Sequence, residues 1–239
     1  MKTSPALISS ISVLALSALA AGCSPAAEEP APVPAPAEMG DGYAEVDVPA
    51  PDPVVVPEGS PKVAVLGDSL AAGLHLPPDL AWPAELQRLL AAEGLPFELV
   101  NAGVSGDTSR GGLARLPWLL EKGAPDVVIV ELGANDGLRG VDLAATEQNL
   151  REILTLVRES GASALLLGMN VPTNLGEYAE DFAALYPRLA EELEVPLVSF
   201  FLKDVGGVPE MNLADGMHPN VEGHRVLAGN VQEALRSLL

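Results

Sequence analysis

From Lys62 onward, short apolar runs alternate with longer segments in which apolar residues recur every three or four positions. The runs lie near 63–66, 97–100, 127–131, 164–168 and 197–201, and the longer segments at roughly 81–93, 109–121, 143–160, 177–193 and 220–238. Continuous apolar runs of this length suit strands buried on both faces. Spacings such as Leu150, Ile153, Leu154 and Val157 give a helix one apolar face to lay on a sheet. Five strands alternating with helices predict an α/β domain built on a doubly wound, mostly parallel sheet. In such sheets ligands bind beyond the carboxyl ends of the strands, so the residues that follow each run are the first place to look for chemistry.

Three of those positions carry it. Val63-Ala64-Val65-Leu66 runs directly into Gly67-Asp68-Ser69-Leu70, which presents the Ser69 hydroxyl at the sheet edge. The second run is followed by Asn101-Ala102-Gly103-Val104-Ser105-Gly106-Asp107-Thr108, and the third by Glu131-Leu132-Gly133-Ala134-Asn135-Asp136-Gly137. Near the C-terminus, Asp215-Gly216-Met217-His218-Pro219 places a carboxylate three residues before an imidazole. A serine hydroxyl is a weak nucleophile at neutral pH and needs a base within hydrogen-bond reach and donors for the developing oxyanion. Gly-Asp-Ser alone is also a common turn triplet; the coupling of four blocks in this order is what points to a nucleophile.

These blocks resemble the GDSL or SGNH hydrolases, and among them the bacterial thioesterase I, lysophospholipase and arylesterase branch. The likeness covers residues 62–239 and includes Gly112-Leu-Ala-Arg-Leu-Pro117, Glu131-Leu-Gly-x-Asn-Asp-Gly-Leu-Arg-Gly140 and Asp215-Gly-x-His-Pro-Asn220. It implies a five-stranded, flavodoxin-like sheet in a three-layer α/β/α order; a monomer is expected. It also implies an oxyanion hole made of the backbone amides of Ser69 and Gly106 and the side-chain amide of Asn135. Gly106 suits the part because a residue without a side chain lets backbone approach a substrate closely. Ala134 stands where the branch commonly has glycine.

The base must come from three histidines. His75 follows Ser69 by six residues in a Pro-rich loop at the expected site entrance, and His224 falls within the last amphipathic segment, where capping or surface roles are expected. His218 remains, with Asp215 beside it to fix its tautomer so that the other ring nitrogen takes the Ser69 proton. The expected triad is therefore Ser69, His218 and Asp215, although Asp215 also suits a turn. Asp68, Asp107 and Asp136 read as hydrogen-bonding supports in turns. Leu138 and Arg139, with Pro172, Thr173 and Asn174 in the loop after the fourth run, stand where the branch lines its acyl pocket; ordinary loop packing is the other reading. No phosphate loop, dinucleotide fingerprint or metal-ligand cluster is present, so no cofactor and no metal are expected and the reaction reads as acyl transfer to water.

Composition bounds the setting. A formal charge of −20 argues against nucleic acid as a partner, since phosphate backbones are bound by clustered Lys and Arg. Lys2 followed by small and apolar residues to Gly22 reads as a signal peptide over residues 1–22, too short for a comfortable membrane span. Leu19-Ala20-Ala21-Gly22-Cys23 resembles a bacterial lipobox, with Ala20 where that pattern prefers leucine, and implies lipidation of Cys23. Signal cleavage after Ala18-Leu19-Ala20 is the competing reading. Cys23 is the sole cysteine, so an intrachain disulfide and a cysteine nucleophile in the folded domain are excluded. Residues 24–61 hold ten prolines and eight acidic residues with no Lys or Arg, a composition that cannot bury a core and reads as a linker over 23–61.

The expectation is a membrane-anchored extracytoplasmic lipoprotein, or otherwise a periplasmic or secreted enzyme, with a catalytic domain over 62–239 that hydrolyses small acyl esters or thioesters. A carbohydrate O-acetylesterase and a noncatalytic lipid-binding lipoprotein are the alternatives. The scarcity of tryptophan, Trp82 and Trp118 only, weighs against a sugar platform.

Overall fold

The computed structural model describes residues 51–239. The expected signal peptide, Cys23 and the linker as far as residue 50 lie outside the described residues. Residues 51–61 form no helix or strand, and the Pro61 carbonyl accepts the Glu98 N–H at 2.8 Å where the sheet begins.

Lys62–Gly67 forms β1, and its positions 63–66 have no exposed surface because helices cover both sides. The remaining strands are β2 (Glu98–Gly103), β3 (Val127–Glu131), β4 (Ser163–Leu167) and β5 (Leu197–Val198). All pair in parallel, in the order β2-β1-β3-β4-β5. Successive strands go to opposite sides of β1, so the sheet has its topological switch point between β1 and β3, where the loops part and leave a crevice.

The helices are α1 (Ser69–Ala72), α2 (Trp82–Ala92), α3 (Ser109–Gly123), α4 (Ala134–Leu138), α5 (Leu143–Glu159), α6 (Glu177–Leu193) and α7 (Val221–Arg236). α2 packs with α7, whereas α5 packs with both α3 and α6, which gives one helical layer on each side of the sheet. Each long helix turns its apolar stripe inward: Leu86 and Leu90 of α2, Leu116 and Leu119 of α3, Ile153 and Val157 of α5, Phe182 and Leu189 of α6, and Leu227 and Val231 of α7 are buried. This is the three-layer, flavodoxin-like order expected.

Two strands differ from their apolar runs. β2 continues through Asn101 to Gly103, beyond the apolar stretch, because its last residues pair with Leu66 and Gly67 of β1. β5 holds only Leu197 and Val198. After Val198 the chain folds back over Gly168, whose carbonyl accepts the Phe201 N–H at 2.9 Å, and the Phe201 side chain turns into the core against Trp82. The apolar residues after Val198 therefore mark burial without strand pairing. The short helices α1 and α4, which lie directly at the strand ends, have too few turns to show a helical period.

Candidate active site

The chain leaves β1 through Gly67, where any side chain would strike Ala71 and the Glu131 carboxyl. Asp68 then turns the backbone, its Oδ1 accepting the Leu70 N–H at 3.0 Å to cap α1. Ser69 is thereby fixed as the first helical residue just beyond the sheet, 9% exposed. Its own N–H has no intrahelical acceptor at that position and finds none elsewhere among the described residues.

The opposing wall is the loop between β5 and α7. An isolated bridge between Asn212 and Pro219, with the Leu213 N–H donating to the His218 carbonyl at 2.7 Å, closes this loop into a hairpin-like arch. Asn220 ends the arch by accepting the Gly223 N–H at 3.0 Å as the cap of α7. Within the arch, Asp215 Oδ1 accepts the N–H groups of Met217 and His218 at 2.8 and 2.9 Å. Asp215 Oδ2 lies 2.7 Å from His218 Nδ1, and His218 Nε2 lies 3.0 Å from Ser69 Oγ. Partial burial acts to raise the Asp215 pKa, but the donors from His218 and Met217 outweigh it and leave it at about 2. A carboxylate that remains charged on Nδ1 favours the tautomer whose bare Nε2 can accept from a hydroxyl.

The two further blocks stand beside Ser69. Gly106 sits at φ +80, a left-handed conformation, and its N–H also has no partner among the described residues. Asn135, in α4 at the end of β3, donates one side-chain N–H to Asp68 Oδ2 at 3.0 Å and leaves the other uncommitted. Arg139 bridges these blocks, donating from Nη2 to the Gly106 carbonyl at 2.9 Å and lying 3.5 Å from Asn135 Oδ1.

The profile of the GDSL-like Lipase/Acylhydrolase family matches residues 65–226. The chain belongs to that family. Esterase TesA of Pseudomonas aeruginosa is 47% identical over 176 residues, covering 73% of this chain and 88% of TesA. Thioesterase 1/protease 1/lysophospholipase L1 of Escherichia coli is 44% identical over 176 residues, covering 73% of this chain and 83% of its own. A crystal structure of TesA, 46% identical, superposes with a TM-score of 0.72 and covers 74% of this chain and 99% of that one.

Around this GDSL-family centre the remaining expected residues fall as follows. His75 is exposed at positive φ, with its ring edge-on to His218 at a centroid distance of 6.1 Å, at the mouth of the site. His224 is buried away from solvent, where its Nδ1 accepts the Trp82 N–H; it caps α2 and is not a surface residue. Leu138 and Arg139 flank the crevice at the end of α4, and Pro172, Thr173 and Asn174 are exposed beyond β4. Val171 packs against Gly137, which brings that loop beside α4, but none of the three is hydrogen-bonded to Ser69, His218 or Asp215. Trp82 is fully buried and offers no sugar platform, whereas Trp118 is 65% exposed on α3. Among the described residues no three His, Cys, Asp or Glu side chains converge as a metal site, and no helix is long and apolar enough to cross a membrane.

Sequence reasoning left out two supports. Arg115 joins both strand ends to the Gly106 loop, donating to the carbonyls of Ala102 and Gly67 at 2.6 and 2.9 Å and pairing with Asp107 at 2.7 Å. Glu131, at the end of the β3 run, is fully buried beneath the Ser69 turn and accepts the N–H groups of Asp68 and Ala71, each at 3.1 Å. Asp136 supports the same region by accepting from the Ser109 N–H and hydroxyl at 2.8 and 2.5 Å.

Proposed function

We propose that this protein is a serine esterase that cleaves small acyl esters or thioesters through an acyl-enzyme on Ser69. The observation that carries this reading is the unbroken chain from Ser69 Oγ through His218 to Asp215 at the carboxyl end of the sheet, with uncommitted donors on Ser69, Gly106 and Asn135 beside it.

In this reading Ser69 Oγ attacks the carbonyl carbon while its proton passes to His218 Nε2. The carbonyl π pair moves onto oxygen, and the Ser69 and Gly106 N–H groups with the free Asn135 N–H stabilise the resulting charge. As the intermediate collapses, the bond to the alkoxide or thiolate breaks and His218 returns its proton to that leaving group. Water then repeats the sequence on the acyl-enzyme, His218 taking its proton and restoring it to Ser69 as the acid departs. Asp215 stays ionised throughout and stabilises the imidazolium that forms at each step.

Leu138, Arg139 and the Pro172–Thr173–Asn174 loop line the acyl side in this reading. Leu138 and Leu175 support it by exposing apolar side chains at the end of α4 and in the loop after β4. An apolar surface of this kind separates acyl chains by only about 1–3 kcal/mol per methylene, which favours a broad substrate range. Thioesterase and lysophospholipase are named for the Escherichia coli relative and esterase for the Pseudomonas aeruginosa one, and these activities share the acyl transfer written here. A signal peptide over 1–22, lipidation of Cys23, a linker over 23–61 and a monomeric catalytic domain over 62–239 complete the proposal. They place the enzyme outside the cytoplasm on a lipid anchor.

The test is covalent labelling with a p-nitrophenyl phosphonate. One equivalent of nitrophenol should be released as esterase activity is lost, and peptide mass mapping should find the phosphonyl group on Ser69. Labelling elsewhere with full loss of activity contradicts the proposed nucleophile.

A further inference from the structure

Two carboxyl groups are buried together under the Ser69 turn. Glu131 has no exposed surface and Asp68 is 1% exposed, and neither forms an ion pair with Lys or Arg among the described residues. Two adjacent buried carboxylates without a cation cannot both carry charge. Glu131 Oε2 is occupied by the N–H groups of Asp68 and Ala71, while its Oε1, equally buried, receives no donor. An oxygen in that position is the one that holds a proton.

Asp68 has the opposite surroundings. Its Oδ1 accepts from the Leu70 N–H and its Oδ2 from Asn135 Nδ2. Burial raises the pKa of both groups. The Asp68 charge raises Glu131 further, whereas donors and the nearby His218 hold Asp68 to about 6. The proton therefore resides on Glu131 and the charge on Asp68 at neutral pH.

We propose that Asp68, which carries the charge above a neutral Glu131, is a positioning residue that fixes the Asn135 side-chain amide with one N–H held and the other left for the oxyanion. This rests on the esterase reading of the site. A carboxylate accepts and never donates, so ionised Asp68 admits only the Nδ2 end of Asn135. Arg139, near Asn135 Oδ1, favours the same orientation from the other side. An asparagine at 68 could turn its own NH2 toward Asn135 and drive the amide to flip, placing Oδ1 where a donor is needed.

The experiment uses the full chain, with kcat and KM on a p-nitrophenyl ester for Asp68→Asn, Asn135→Ala and the double variant. Asp68→Asn is expected to lower kcat about 10- to 100-fold with KM nearly unchanged, as for loss of one oxyanion donor. In the Asn135→Ala background the same substitution is expected to change kcat less than about 3-fold, because the two act as one unit. Glu131→Gln, which is neutral and can accept from the same N–H groups, is expected to recover most of what Glu131→Ala loses. Equal losses from Asp68→Asn with and without Asn135 overturn the proposal.

A second readout does not require turnover. The side-chain N–H of Asn135, assigned by its disappearance in Asn135→Ala, is expected to resonate downfield of ordinary amides, to move upfield in Asp68→Asn and to stay in Glu131→Gln. An Asn135 resonance indifferent to Asp68→Asn overturns the positioning role. A parent chain without esterase activity overturns the functional reading instead, and the resonance then decides the positioning alone.

Discussion

His224 Nδ1 accepts the backbone N–H of Trp82 at 3.0 Å, so a side chain from the start of α7 caps the first turn of α2 across 142 residues of sequence. Ala81, the residue before α2, has no side chain able to do this. Burial, with the charge of His218 nearby, lowers the His224 pKa to about 4, which keeps the ring neutral and Nδ1 free to accept.

That geometry makes stability depend on acid. The unfolded chain binds a proton at His224 near pH 6.5 and the folded chain only near 4, so stability is present above 6.5 and is lost as pH falls toward 4. The loss attributable to His224 is on the order of 3 kcal/mol. His224→Asn, which keeps an acceptor for Trp82, should flatten this part of the profile in urea unfolding measured from pH 4.5 to 7.5. An unchanged slope would mean that other groups carry it.

Arg115 is the second structural tie, and it acts on the site directly. Its guanidinium serves Gly67, Ala102 and Asp107 at once, a pattern that a lysine ammonium on a narrower head cannot reproduce. Arg115→Lys should destabilise the fold by about 1–3 kcal/mol through carbonyls left unpaired. Because Gly67 and Asp107 flank Ser69 and Gly106, kcat should fall with it. Calorimetric melting beside steady-state kinetics checks both effects, and a melting change with intact kcat would confine Arg115 to stability.

These ties explain what the amino-acid pattern reveals and what it conceals. The apolar runs at 63–66 and 127–131 became β1 and β3 because both are buried on two faces, a state written in consecutive residues. The run at 197–201 misleads because Phe201 is apolar for packing on Trp82 and not for pairing in the sheet. Ser69, Gly106 and Asn135 stand out as polar or small residues directly after strands, and Asp215 and His218 are close in sequence, so the pattern alone brings them forward. Glu131 ends the third run and opens the block after it, and nothing in its local spacing marks it as buried beneath the Ser69 turn. The contacts of Asp68 with Asn135, of Arg115 with Gly67 and of His224 with Trp82 join residues 67, 48 and 142 positions apart, separations at which local spacing says nothing.

Gly106 tests the hole by backbone conformation. At φ +80 an alanine is strained by about 1–2 kcal/mol, although its Cβ would meet only Arg139 Nη2 at an ordinary 3.5 Å. Gly106→Ala should lower kcat about 10-fold or more as the N–H turns away from the oxyanion. Gly140→Ala, at φ +64 with open space around it, should show similar strain and retain its kcat. Equal kinetic losses in the two variants would remove Gly106 from the hole.

Initial rates of p-nitrophenyl ester hydrolysis by the parent and by Ser69→Ala, each shown to be folded by circular dichroism, bear most directly on Ser69 as the nucleophile. The parent should turn over, and Ser69→Ala should lose about 10⁴-fold or more in kcat, as serine hydrolases do when the nucleophile is removed. A folded Ser69→Ala protein that keeps more than about one part in a hundred of the parent rate would contradict the acyl-enzyme on Ser69, since the donors that remain without a nucleophile cannot supply that much.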